Sequence, residues 1–215
     1  MEIETIRHSL SHIMAYAVRE LFPDVKFGIG PAIENGFYYD FELTKPLTPE
    51  DLPKIEAKMR ELIKQNLVFK KKTVSKIAAK KLFSAQGGSA SGGKGQPHKL
   101  ELIKGLPGRT VTIYESGKFI DLCKGPHVKS AREVPVDGFR LTRMAGAYWK
   151  GDEKNKMLTR IYGIAFSNKK DLQDYLAKQS EAEKRDHRVL GQKLEIFMLD
   201  EEVGQGLPIW LPNGA

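Results

Sequence analysis

Apolar residues near the N-terminus recur at helical spacing: Ile6, Leu10, Ile13, Met14, Ala17 and Leu21. That spacing predicts a helix over residues 3–22, stopped by Pro23. At about 100° per residue these side chains share one side, and His8, His12 and Arg19 fall on nearly the opposite one. The pattern then changes. Residues 25–43 set glycines (Gly28, Gly30, Gly36) among Phe37, Tyr38, Tyr39 and Phe41, which predicts short strands and tight turns. A second helix is signalled by Thr48 as cap, Pro49 at the first helical position and Asp51 three beyond the cap. Its apolar stripe is Leu52, Ile55, Met59, Leu62 and Ile63, and Lys70, Lys71 and Lys72 follow on a predicted strand.

Residues 98–122 alternate as strands, with Lys99–Ile103 and Thr110–Tyr114 as examples, and residues 139–166 predict two more around Gly151-Asp152. A last helix is expected from Asn168, with Asp171 in its first turn, to beyond Arg188. Its stretch Glu181–Arg188 is almost wholly charged, as in helices that bridge domains. The apolar segment Pro208–Pro212 reads as the start of a further domain. Residues 87–95 are glycine, serine, alanine and one lysine, a flexible linker by composition that contributes nothing to the core.

Composition narrows the classes. With 215 residues the chain holds one generous domain, or one and the start of another. No apolar run approaches the ~20 residues of a membrane span, and the acidic start Met1-Glu2-Ile3-Glu4 is no signal peptide. Cys123 is the only cysteine, which excludes an intrachain disulfide and points to a reducing, cytoplasmic setting. The net charge of +8 attracts polyanions, so nucleic acid is the first partner to consider.

Two short motifs carry chemistry. His8-Ser9-Leu10-Ser11-His12 is HxxxH on a helix, and four-residue spacing puts both imidazoles on one face. Cys123-Lys124-Gly125-Pro126-His127 is CxxxH, and Gly125-Pro126 makes it a loop after a strand ending at Asp121-Leu122. Three histidines and a thiol from a helix and a loop can converge on one point. Two chemistries then stay open. His8, His12, Cys123 and His127 suit tetrahedral zinc, whose water would attack an ester. Alternatively a histidine activates water without metal, and a cation stabilises the oxyanion. Lys99 and Asp121 are near enough in sequence to assist. On their own these residues also have ordinary readings: His98 beside Pro97 and His187 in the charged helix are expected at the surface, Lys99 as a solvent-facing strand residue, and Phe37, Tyr38, Tyr39 and Trp149 as core.

These motifs, with Gly28-Ile29-Gly30-Pro31, Asn35-Gly36-Phe37-Tyr38-Tyr39-Asp40, Asp121–Val128, Gly146–Asp152, Met157–Gly163 and Lys184–Arg188, resemble the editing domain of bacterial-type threonyl-tRNA synthetases. HxxxH and CxxxH are shared with alanyl-tRNA editing proteins. The Asn-Gly-Phe-Tyr-Tyr, Ala-Tyr-Trp-Lys-Gly-Asp and Arg-Ile-Tyr-Gly segments favour the threonyl branch.

The resemblance implies an α+β fold, with the HxxxH helix packed on antiparallel sheet and a long linker helix after it. It divides the chain into an editing domain over 1–166, a linker helix over 167–194 and the start of a class II catalytic domain over 195–215. It implies hydrolysis of seryl-tRNA made on the threonine tRNA, with His8, His12, Lys99, Asp121, Cys123 and His127 as site residues. In alanyl relatives the four-ligand set holds zinc; in the threonyl branch it works with bound water, so no cofactor is expected and zinc at His8, His12, Cys123 and His127 is the alternative. ATP and the zinc that reads threonine belong to the absent core. The partner implied is the acceptor end of the threonine tRNA carrying serine, with no membrane. The full-length family is dimeric through an interface that lies mostly in the absent core, so the sequence leaves the oligomeric state of the fragment open, a monomer included. A zinc-dependent alanyl-type deacylase and a non-catalytic tRNA-binding module are the competing readings.

Overall fold

The computed structural model describes residues 2–86, 95–200, 202–204 and 206–214. Its antiparallel sheets and packed helices form an α+β fold. Packing separates two units between Lys169 and Lys170.

In the first unit, helix α1 (Ile3–Leu21) is buried on all sides from Ile6 to Val18 except at His8. The apolar stripe accounts for only one of those sides. The other, carrying His12, is covered as well, with His12 3% exposed. The helix ends where Phe22 donates its N–H to the Val18 carbonyl, just before Pro23.

The larger sheet consists of β1 (Lys26–Phe27), β2 (Ala32–Ile33), β3 (Gly36–Glu42), β7 (Phe139–Tyr148) and β8 (Met157–Ala165). Its order is β1-β3-β8-β7, with β2 beside β3, all antiparallel. Phe37, Tyr39 and Phe41 alternate onto the buried face, each fully buried. Gly163 pairs with Phe37, and a Cβ there would stand 2.5 Å from the Phe37 ring. On the opposite face Arg160 lies 3.9 Å from the Tyr38 ring centre and grips Asp40 through two hydrogen bonds of 2.6 and 2.9 Å. Helix α2 (Asp51–Lys64) packs Ile55, Met59, Leu62 and Ile63 into the same core. The helix begins two residues later than the expected Pro49 start, with Glu50 and not Thr48 at the cap position; Thr48 stays outside it and donates its N–H to Asp51 Oδ2 at 3.0 Å.

The smaller sheet is β4 (Phe69–Ser75), β5 (Thr110–Ser116) and β6 (Phe119–Leu122), in that order. One face carries α3 (Lys76–Ala85) and α4 (Pro97–Gly105) over a second core of Ala79, Phe83, Ile103, Val111 and Ile113. Here the structure corrects two expectations. Lys99–Ile103 is helix, not strand: Pro97 sits in the first turn, and Lys99 and Ile103, one turn apart, are both buried. An alternating run of five residues fits a short helix as well as a strand. His98, expected at the surface, is 7% exposed and bonds Glu42 at 2.8 Å. Of the predicted linker, residues 87–94 lie outside the described residues. Gly95 is buried, with φ +61° and its α-carbon against Ser84, so the chain rejoins the core there.

The second unit contains most of α5 (Lys169–Lys184), then α6 (His187–Lys193) and a hairpin of β9 (Phe197–Leu199) and β10 (Pro208–Trp210). The single helix expected through Arg188 is two. Asp186 interrupts it as the cap of α6, accepting the Arg188 N–H at 2.8 Å, a role its short carboxylate fills better than a helix interior position. Among the described residues no helix is long and apolar enough to cross a membrane.

Candidate active site

The HxxxH and CxxxH motifs meet in the first unit, between α1 and the loop that leaves β6. The ring centres of His8 and His127 are 4.2 Å apart, those of His12 and His127 4.3 Å, and those of His8 and His12 5.3 Å. Cys123 Sγ lies 3.3 Å from His8 Nε2 and 3.3 Å from His127 Nε2. One donor atom from each of the four residues falls within 4.8 Å of the others.

The loop reaches this position through local constraints. Cys123 N–H still bonds the Thr112 carbonyl at 3.2 Å, one residue past β6. Gly125 then takes φ +78°, and a Cβ on it would stand 2.2 Å from the Tyr114 hydroxyl, so no other residue fits unstrained. Ser9 ties the returning loop to α1. Its hydroxyl donates to the Thr5 carbonyl at 2.8 Å and accepts the Val128 N–H at 3.0 Å.

The partners of the rings settle their tautomers. His8 Nδ1 faces the Pro126 carbonyl at 3.1 Å, which can only accept. His127 Nδ1 faces Ser9 Oγ at 3.2 Å, whose proton is already given to Thr5. His12 Nδ1 faces Asp121 Oδ2 at 3.3 Å. Each Nδ1 therefore carries the hydrogen, and each Nε2 holds a lone pair. Burial lowers the proton affinity of all three: His8 is lowered despite its bond to Pro126, and His12 and His127 are well below the ordinary value, with neighbouring positive groups adding to the effect. Burial also pushes the Cys123 thiol up to about 11. The result is three lone pairs and one S–H.

Such a set calls for a water or a cation. A tetrahedral zinc needs nitrogen and sulfur donors roughly 3.3–3.7 Å apart, given bonds of about 2.0–2.3 Å. Cys123 already stands at that separation from two histidines, and the remaining pairs, all within 4.8 Å, need to close by about 1.5 Å at most. Donor type and tautomer both fit zinc.

Behind His12 lies a second layer. Asp121, 2% exposed, accepts the Leu122 N–H at 2.7 Å on Oδ1, where it also pairs with Lys99 Nζ at 2.5 Å, and accepts the Tyr39 hydroxyl at 2.5 Å on Oδ2. Lys99 also donates to Tyr39 Oη at 2.9 Å. Lys99 is thus buried in the site on a helix, contrary to a solvent-facing strand position, while Arg19 lies apart and bonds the Lys118 carbonyl. Tyr39 and Ser9 are the members that sequence reasoning missed. Tyr39 alternates with Phe37 and Phe41 and reads as core, which it also is; Ser9 lies inside HxxxH without a signal of its own. A cleft of about 290 Å³ opens beside His8, with Thr5, Pro31 and Pro126 in its walls and Glu2 and Glu4 at its rim.

Residues 111–162, which run from β5 through the CxxxH loop into β8, match the family described as the threonyl and alanyl tRNA synthetase second additional domain. The whole chain is similar to threonine–tRNA ligases. It is 53% identical over 214 residues to that of Dehalococcoides mccartyi (strain CBDB1), covering 100% of this chain and 35% of the relative. Against that of Geobacillus sp. (strain WCH70) it is 50% identical, covering 99% and 32%. Against that of Citrifermentans bemidjiense it is 53% identical, again covering 99% and 32%. The chain thus spans about a third of the length of these relatives.

Proposed function

We propose, for a chain homologous over its whole length to about a third of the threonine–tRNA ligases, an editing function: hydrolysis of the ester that joins serine to the threonine tRNA. The observation that carries the reading is the convergence of His8, His12, Cys123 and His127 beside an open cleft, with Asp121 and Lys99 behind them. On this reading residues 1–166 are the hydrolytic part, 167–194 a linker and 195–215 the beginning of the synthetic part, and the protein works in the cytoplasm on the acceptor end of the tRNA.

In the reaction a water held at the lone pair of His8 Nε2 attacks the ester carbonyl. His8 is chosen because its ring is less buried than those of His127 and His12 and borders the cleft. The water's proton passes to Nε2 and then to the departing ribose hydroxyl as the C–O bond breaks. His12, anchored by Asp121, keeps its own lone pair turned to the same water. The Lys99 ammonium supplies positive charge near the developing oxyanion. A thiol with its pKa at about 11 is protonated at neutral pH, so water and not Cys123 is the nucleophile. The need for such a reaction follows from size. One methyl separates threonine from serine and is worth about 1–3 kcal/mol in a synthetic pocket, so a second pocket that excludes the methyl improves the discrimination.

A second reading is favoured by the three Nε2 lone pairs. His8, His12, Cys123 and His127 would hold zinc, which supplies an acidified water when bound. Deacylation of seryl- and threonyl-tRNA, both on the threonine tRNA, with and without chelator, tests both. We expect loss of serine alone. Insensitivity to chelator selects the metal-free reaction, and abolition by chelator selects zinc. Bound tRNA with neither ester cleaved would instead leave a non-catalytic RNA-binding module.

A further inference from the structure

The face of the smaller sheet turned away from α3 and α4 is only partly used by the site. In its ladder Lys71 pairs with Tyr114 and Tyr114 with Asp121. Residues directly opposite in an antiparallel ladder project to the same face. A row therefore crosses the sheet from Lys71 at the free edge strand, through Tyr114, to Asp121 in the site. Tyr114 is 8% exposed and stands perpendicular to the His127 ring, 4.5 Å between centres. Its hydroxyl lies against the α-carbon of Gly125 and makes no hydrogen bond with another described residue. Since no buried polar side-chain atom among those residues is unpaired, that hydroxyl keeps some contact with solvent beside the CxxxH loop. Lys71 is exposed and has no ion-pair partner among the described residues, unlike Lys72 on the opposite face, which pairs with Glu115 at 2.6 Å. The row thus presents an unpaired donor, Tyr114, beside the His127 ring and an unpaired cation, Lys71, one strand beyond it.

We infer that Lys71 and Tyr114 receive the last nucleotide of the RNA substrate: Lys71 pairs with its phosphodiester, and the Tyr114 hydroxyl donates to its ribose or to the ester. The inference rests on the proposed editing function and adds positioning residues to it. A polyanion approaching the site from the β4 edge meets Lys71 first. The ribose that follows then reaches the Tyr114 hydroxyl beside Cys123–His127.

The experiment is steady-state deacylation of a seryl RNA minihelix, with binding of the uncharged minihelix measured across a salt series. Lys71→Ala should raise KM roughly tenfold, as for loss of one charge-assisted contact, with kcat changed less than about twofold. It should also flatten the dependence of log Kd on log salt by about 0.7–1. Lys71→Arg should restore both. Lys72→Ala, equal in charge and on the same strand but the other face, should match the wild type. Tyr114→Phe should lower kcat/KM with its melting temperature kept. Equal effects of Lys71→Ala and Lys72→Ala would reduce the effect to overall charge and overturn the inference, as would no effect of either. A wild type that binds the minihelix but cleaves no ester would sink the editing reading, while the Lys71 salt slope would still decide this one.

Discussion

Four groups meet the carboxylate of Asp121: the Leu122 N–H, the Tyr39 hydroxyl, the Lys99 ammonium and the His12 ring. Lys99 and Asp121 are each 2% exposed, so their charges were taken from water and are repaid by one another and by Tyr39. Removing one partner strands the other. Lys99→Met is expected to cost roughly 3–5 kcal/mol in urea denaturation, and Asp121→Asn a similar amount. The double variant should lose clearly less than the sum of the two; strict additivity would mean that the two charges do not support each other. His8, His12, Cys123 and His127 were legible as two spaced pairs because spacing on a helix or in a short loop is local. That Lys99 and Asp121 are a pair was not, since 22 positions of chain separate them and only the folding of α4 onto β6 joins them.

At the scale of elements, the site depends on one seam between α1 and the loop after β6. Ser9 is its rivet: one hydroxyl serves Thr5, Val128 and His127. Ser9→Ala leaves the buried Val128 N–H without an acceptor, which costs about 1–3 kcal/mol, and frees His127 to change tautomer. The urea midpoint should fall with an unchanged m-value, and deacylation should fall by more than the small loss of folded protein explains. A variant with wild-type midpoint and rate would show that the seam holds without Ser9. Helix α1 was predicted to within a residue because its stripe repeats over five turns. Helices α3 and α4 were not seen as helices. They are 10 and 9 residues long and rest on the smaller sheet's core, so packing and not periodicity decides them.

At the scale of the whole molecule, the buried imidazoles set a direction for stability with pH. His8, His12 and His127 bind protons less readily folded than unfolded, burial being the first cause in each. Above about pH 6.5, the ordinary value, the rings are neutral in both states and stability is unaffected. Below it the unfolded chain takes up protons that the folded one refuses, and stability declines as pH falls. Metal-free protein should therefore lose urea resistance between about pH 6.5 and 5, above the ordinary carboxylate range. A flat or rising midpoint across that window would show that the rings are not held neutral.

The sequence by itself determined what is local: the long first helix, the alternation that buries Phe37, Tyr39 and Phe41, and the two motifs whose spacing gathers their own ligands. Those properties follow from the pitch of a helix and the pleat of a strand, which act within a few residues. Tertiary structure decided whatever depends on residues far apart. It turned an apparent strand at Lys99–Ile103 into a helix, broke the charged helix at Asp186, and sank His98 beneath Glu42. It also fixed which nitrogen of each histidine carries the hydrogen, because that choice belongs to acceptors at Pro126, Ser9 and Asp121. For each ring the acceptor lies more than a hundred positions away in the chain.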